Sequence, residues 1–492
     1  MKKIISMVLI CVMCVLCLVG CGNGGEKDGI TIKWYLPLDM SANNKDVLAK
    51  VAEKVYEKIG VNLEIGIISM SDYDKKIQVM NAAMEDMDIV YTSSIVNNYY
   101  TAVDNGRLLA LDDYLETAGA DMYKAIPEYM WDATRVDGKI YAVPNQQIVA
   151  RGVCFWTPTQ NVELLGINPE EYLNADDDYK SQLGAIEKYL RLLNGKTGTY
   201  TPISDLWGQS AMYLYGFDNV LGQSLPGAIN VNAEDPYKIV NQYKSEEFKY
   251  YISERNEWVK DGLIQPERDA KVDYLTYLEN GEVAPEFSRN LTYKPGLEAY
   301  TKTSRQYDPT LLIRTKPLVT RNGIIATMNA VCAQSKNPEA AVKVLNLINT
   351  DKEIYNLLAF GIEGEHYEKI GENKVRTFEN TTYSTNHQYA IGNSFNLYIR
   401  EDEPDDIWEQ TKALNDNSER SPLLGFSPST KNITLEIASC QAVLDQYMDS
   451  LIYGTGNTEQ IYNDFIAKLD AAGVEKIVTE LQSQVDAWRA NQ

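Results

Sequence analysis

The side chains able to do chemistry are unevenly represented in this sequence. Histidine occurs twice, as His366 and His387, without the HExxH pattern or any spacing that holds zinc. In Glu363-Gly364-Glu365-His366 the histidine stands alone beside a glycine, too little for a metal set. Asn194-Gly195-Lys196-Thr197 echoes a phosphate loop, but position 190 is Leu where that loop needs Gly. No GxSxG is present. Asp176-Asp177-Asp178 reads as a solvated helix face rather than a calcium site. Neither a cofactor nor a metal is expected. Carboxylates remain, with 69 Asp and Glu, and two of them could in principle hydrolyse a glycoside. The other abundant group is tyrosine, 33 residues against 9 Phe. It offers a flat apolar ring with a hydroxyl handle, which suits polar ligands that have apolar faces. It suits the interior of a large secreted protein equally well.

Thiol chemistry is confined to one place. Lys2 and Lys3 precede an apolar run from Ile4 to Gly20, shorter than the roughly 20 residues a spanning helix needs but suited to a signal-peptide core. It ends in Leu18-Val19-Gly20-Cys21, which resembles the lipobox of bacterial lipoproteins. That resemblance implies cleavage before Cys21, acylation of its thiol, and a mature protein anchored at the extracytoplasmic face of the membrane. Gly22 to Gly29 is small and polar, a flexible tether. Cys11, Cys14 and Cys17 leave with the signal, so Cys154, Cys332 and Cys440 remain. They are far apart, sit in apolar contexts and read as buried free thiols. Without residues 1–20 the chain carries a net charge near −25. Such a surface repels nucleic acid and anionic lipid headgroups, so the membrane is met through the anchor only.

The remaining 472 residues are too many for one core. Alternation over Ile30, Ile32 and Trp34 predicts a strand ended by Pro37. Val47, Val51, Val55 and Ile59 predict a helix over 44–60 closed by Gly60. Val61, Leu63, Ile65 and Ile67 predict a second strand; Ser71-Asp72-Tyr73-Asp74 resembles a capping box, and Asp88-Ile89-Val90-Tyr91 predicts a third strand. Strand–helix–strand–helix–strand implies parallel pairing by crossover, hence an α/β lobe with ligands at the carboxyl ends of its strands. Asp137 to Pro144 reads as a turn and a strand, and Arg151 to Trp156 as another strand. The stretch 199–236, rich in Gly and aromatics, is expected to be irregular. Helices are predicted at 168–194, 246–261, 338–358, 432–453 and 458–488, the last broken near Gly473.

In this order the motifs resemble an extracellular solute-binding protein, family 1, of a bacterial ABC importer, over essentially the whole mature chain. The resemblance rests on four features behind the lipobox: the opening strand Ile30–Leu36 with its long helix; Asp88-Ile89-Val90-Tyr91 followed by Asn105-Gly106-Arg107-Leu108-Leu109-Ala110-Leu111-Asp112; Asp137-Gly138-Lys139-Ile140-Tyr141-Ala142-Val143-Pro144; and Asn337-Pro338-Glu339-Ala340-Ala341 leading to Leu357–Tyr367. The last block is similar to an oligosaccharide-type subgroup with an extra C-terminal domain of unassigned role. What the resemblance implies is an α/β two-lobed clamshell with a helix-rich C-terminal part, acting as a monomer that closes on its solute and docks on permease subunits. It implies no enzyme activity and makes an oligosaccharide the leading ligand class. A peptide or other small solute on the same fold is the alternative, and a surface-anchored glycoside hydrolase is a third reading. The expected lobes are 30–148 with 290–345, and 149–289 with 346–492.

For a sugar, rings should stack on C–H faces while carboxylates, amides and Arg meet the hydroxyls. The candidates are Trp207 in its turn-rich stretch, Trp156 and Arg151 around the presumed hinge strand, and Trp34, Tyr35 and Asp39 at the end of the first strand. Tyr91 and Ser93 follow the third strand, and Phe287 and Arg289 lie in a Pro/Gly-bounded segment. Trp258, Trp408 and Trp488 read as structural.

Overall fold

The computed structural model describes residues 29–173, 178–222, 224–290, 292–454 and 456–491. Cys21, the signal and most of the tether therefore lie outside the described residues, as do Asp176 and Asp177.

Local signals set the first lobe. Asn44 accepts hydrogen bonds from the Asp46 and Val47 amides and opens the helix Lys45–Ile59; Gly60, at φ 67°, closes it in the left-handed region. Val47, Val51 and Val55 are completely buried on its inner face, each worth about 1.5–3 kcal/mol of transfer free energy. That helix carries the chain from the strand Thr31–Pro37 to the strand Asn62–Ile68, paired in parallel from Thr31↔Asn62 to Pro37↔Ile68. The next helix, Met70–Ala82, begins two residues earlier than the Ser71 box predicts, at Ser69, whose hydroxyl donates to Asp72 at 2.7 Å. The strand Ile89–Thr92 pairs in parallel on the other side of Thr31–Pro37. Met328–Val331 and Val143–Pro144 add antiparallel strands, the proline at an edge where its missing N–H costs no ladder bond.

Two cores form. One gathers residues from Ile32 to Ala150 and from Val319 to Ile391. The other gathers residues from Val153 to Ile313 and from Leu423 to Val485. The lobe boundaries thus differ from the sequence expectation. Residues 290–313 belong to the second lobe, because Ser288–Asn290 and Pro309–Arg314 flank Cys154–Pro158 in one antiparallel sheet. Residues 346–391 belong to the first, because Pro338–Thr350 and Lys352–Phe360 bury Val344, Ile348, Ile354 and Leu358 in its core.

The C-terminal helices Thr434–Ile452, Thr458–Ala471 and Val474–Ala490 complete the second core rather than forming one of their own. Gly473, at φ 93°, breaks the last two. Fully buried Arg255 stitches them in, donating to the carbonyls of Ile452, Ser204 and Ile203 at 3.2, 3.2 and 3.0 Å. Cys154, Cys332 and Cys440 are buried free thiols, as their apolar contexts suggest.

The chain crosses between the cores three times, and the crossings lie side by side. Ala150–Arg151, Leu318–Val319 and Glu419–Arg420 form a three-stranded ribbon with Leu318–Val319 in the centre. Two glycines let the backbones approach there. A Cβ on Gly152 would stand 3.0 Å from the Thr315 carbonyl oxygen, and one on Gly323 would stand 2.7 Å from that of Val149. Both obstacles are backbone. Gly323→Ala should therefore lower unfolding free energy by about 1–3 kcal/mol through overpacking, read as a reduced urea midpoint.

Candidate interlobe binding site

Arg151 is the last residue of the first crossing, and its side chain enters the space between lobes. Nη1 donates to Thr292 Oγ1 of the second lobe at 2.8 Å. Burial lowers the guanidinium below its ordinary value, while Tyr213, Tyr389 and Tyr91 oppose that through their electrostatic pull. Tyr91 and Tyr389 belong to the first lobe and Tyr213 to the second, so phenols of both walls lie within electrostatic range of one cation. Burial raises all three phenols, so their hydroxyls stay protonated at neutral pH and can donate.

The first-lobe wall grows from the carboxyl ends of its parallel strands. Tyr91, in the third strand, donates its hydroxyl to the Ala326 carbonyl at 3.1 Å. Asp39, just past the first strand, accepts from the Ser41 amide at 3.2 Å and from Asn386 Nδ2 at 2.7 Å. These bonds, the Ser41 amide first, hold its carboxyl below the usual range. The Asn386 bond also pins the loop that carries His387 and Tyr389, whose rings meet edge to face at 5.6 Å. His387 Nδ1 has no hydrogen-bond partner among the described residues, and neither does Asn322 Oδ1. Asn322 Nδ2 donates across the gap to the Asn219 carbonyl at 2.6 Å.

Further bridges close the back of the cleft. The Tyr213 hydroxyl meets Thr320 Oγ1 at 2.9 Å, and Arg321 Nη2 donates to Ser427 Oγ at 3.0 Å. Arg321 also stacks 4.5 Å from the centre of the Tyr100 ring. Asp218, 5% exposed, accepts from Ser421 Oγ at 2.6 Å. Burial pushes its carboxyl up to about 6 despite that bond. Tyr300 presents a 62% exposed ring from the second-lobe helix Leu297–Arg305, within electrostatic reach of Tyr389.

Of the residues expected from sequence, the structure brings Arg151, Tyr91, Ser93 and Asp39 to this region. Ser93 spends its hydroxyl on its own turn, accepting from the Ile95 and Val96 amides at 3.1 and 2.8 Å. The tryptophans are elsewhere. Trp34 is fully buried under the first sheet, its indole donating to Asn329 Oδ1 at 3.0 Å. Trp207 is fully buried in the second core, ringed by Tyr215, Phe248 and Tyr251 at 4.8, 4.7 and 5.9 Å. Trp156, 1% exposed, packs beside Tyr293 in a small cluster with Cys154 and Leu297 that is separate from the second core. None of the three offers a free face, since a half-apolar ring is drawn into whichever core its strand or turn abuts. Tyr35 lies among Glu85, Glu64 and Asp86, away from Arg151. Phe287 and Arg289 line a different cavity, within the second lobe. Sequence reasoning missed Tyr213, Tyr300 and Tyr389; the excess of tyrosine over phenylalanine was their only signal.

Residues 422–490 match a family model described as a domain of unknown function, DUF3502. A protein of Streptococcus pneumoniae serotype 4 named a carbohydrate ABC transporter substrate-binding protein is 29% identical, with 96% of each chain covered. The crystal structure of the N-glycan transport solute-binding protein NgtS from Streptococcus pneumoniae superposes with a TM-score of 0.79 at 25% identity, covering 94% of this chain and 99% of that one. Its complex with Man5GlcNAc gives 0.71 at the same identity and coverage. Over nearly its whole length this chain has the fold of a solute-binding protein of an ABC importer. Proteins of this class work outside the cytoplasm, and the solute-binding fold explains the hinge ribbon, the paired cores and the polar groups left facing between them. The matched 422–490 segment is the helical part that completes the second core.

Asp218 gives the site a testable pH response. Its folded value, about 6, exceeds the ordinary carboxyl value of 3.8. The charged form is thus disfavoured in the fold, and its cost is present above pH 6 and lost as pH falls through 6 towards 4. Asp218→Asn should raise stability at pH 7 by roughly 2–3 kcal/mol, with the gain shrinking towards zero near pH 4. Melting temperatures of both proteins across that range measure it.

Proposed function

We propose that this protein captures an extracellular oligosaccharide between its lobes and delivers it to the permease of an ABC importer, held near that permease by a lipid on Cys21. The observation that carries the proposal is the full-length likeness, in sequence and fold, to a protein solved with Man5GlcNAc and with Man1GlcNAc. The cleft chemistry supports the same reading. Protonated tyrosines, a partly desolvated arginine, an amide oxygen and an imidazole nitrogen are groups that donate to or accept from sugar hydroxyls, and an exposed ring such as Tyr300 stacks on a C–H face. The family resemblance of the sequence adds the permease, and the lipobox adds the anchor. The receptor works as a monomer in this reading.

Titration calorimetry of the mature chain with Man5GlcNAc should show binding, and mass spectrometry after incubation should return the glycan intact. Arg151→Gln and Tyr389→Ala should each weaken binding about tenfold or more. Release of shorter sugars would establish a hydrolase instead, and thermal shifts given by peptides alone would replace the glycan with a peptide. For the anchor, cells grown with a fatty-acid probe should label the wild-type protein and not Cys21→Ala; equal labelling of both would remove Cys21 as the lipid site.

A further inference from the structure

A second cavity, of about 530 Å³, opens within the second lobe and is lined by no residue of the first. Its walls come from the loop 202–205, the segment 265–274, the strand edge 286–289 and the end of a C-terminal helix at Ile452 and Tyr453. Four cations line it, Arg268, Lys271, Arg289 and Arg305, against two carboxylates, Asp205 and Glu286. In a chain of net charge −23 such a concentration is unexpected.

The two carboxylates leave the positive charge only partly balanced. Asp205 is occupied by the Trp207 and Gly208 amides at 2.9 and 3.2 Å and by the Tyr251 hydroxyl at 2.6 Å. Glu286 accepts from Ser288 Oγ and from the Tyr307 hydroxyl, and burial favours its neutral form. Among the cations, Arg268 pairs with Asp449, while Lys271 and Arg305 form no ion pair among the described residues. Arg289 is the telling one. It is half-buried in the cavity wall, and its Nε and Nη1 are shut off from solvent without a hydrogen-bond partner. Asp205 attracts it electrostatically but hydrogen-bonds neither nitrogen, and buried donors without acceptors are costly until an acceptor is brought to them.

We infer that this cavity is a binding site for a small oxyanion-bearing solute, a sugar acid or sugar phosphate, held by Arg289 with Lys271 and Arg305 at the mouth. The size suits one sugar ring rather than a long glycan, and Tyr274 and Tyr453 supply apolar walls with hydroxyls. A planar guanidinium meets a carboxylate or phosphate through paired bonds to an opposite charge, about twice as strong as those it makes to the neutral hydroxyls of glucose. The site is separate from the interlobe cleft, so its occupancy does not depend on the glycan reading.

The test is calorimetry of the mature chain with glucuronate, glucose 6-phosphate and glucose. At least one of the charged sugars should bind at millimolar concentration or below, glucose should not, and added salt should weaken binding. Glucuronate alone binding identifies a carboxylate ligand; glucose 6-phosphate alone identifies a phosphate. Arg289→Gln should weaken binding about tenfold or more, and Tyr389→Ala in the cleft should leave it unchanged. If Arg289→Gln does not fold, the double variant Lys271→Gln/Arg305→Gln, exposed at both positions, should still weaken binding severalfold. Absence of heat with both anions overturns the inference. So does binding that survives Arg289→Gln and disappears in Tyr389→Ala, which would place the anion in the cleft.

Discussion

The ribbon of three two-residue strands, Ala150–Arg151, Leu318–Val319 and Glu419–Arg420, is the constraint from which the rest of the molecule follows. Each core is assembled from two stretches distant in sequence, so the chain must leave and re-enter each lobe. Placing all crossings side by side concentrates the covalent link between lobes in one narrow element with few hydrogen bonds. Such an element can bend while the two cores stay rigid, which is the physical requirement for a clamshell. The tight approaches at Gly152 and Gly323 show how little space the crossings occupy.

The arginines illustrate how position separates structure from function. Arg255 is fully buried and accounted for by three carbonyl oxygens. Arg321 is nearly as buried, and is held by the Ala133 and Arg135 carbonyls, the Tyr100 hydroxyl and Ser427. Both are fastenings. Arg151 donates to Thr292 and is otherwise faced by tyrosines, neutral groups that stabilise it without forming a closed ion pair. A cation held this way keeps directional donors for a neutral polyhydroxyl ligand. The acidic outer surface does not contradict a basic interior, because screening confines each field to about 10 Å.

Much of the architecture was legible before any coordinates. The valines at 47, 51 and 55, the capping Asn44 and the closing Gly60 appear as read, and the three parallel strands follow from their alternation with helices. The break at Gly473 and the buried thiols also agree. The lobe assignment of residues 290–391 was not legible. A strand such as Pro309–Arg314 carries no mark of which distant partner it will pair with, and Pro338–Thr350 would bury its apolar face against any complementary surface. The binding candidates divided for a related reason. Residues placed by their position at strand ends, Tyr91 and Asp39, or at the hinge, Arg151, reached the cleft. Those chosen for ring size, Trp34, Trp156 and Trp207, were taken into the packing, where a large ring removes the most apolar area from water.

By itself, then, the sequence determined local periodicity, caps and breaks, the α/β class and the expectation of a tethered receptor, because these depend on neighbours within about twenty residues. Only the tertiary structure decided which segments share a core, that the three crossings align as one ribbon, and that Tyr91, Tyr213 and Tyr389 come within electrostatic range of Arg151. It also decided that Arg289 stands in a cavity of its own. These are contacts between residues tens to hundreds of positions apart, and burial and hydrogen bonding choose among them only once the whole chain has packed.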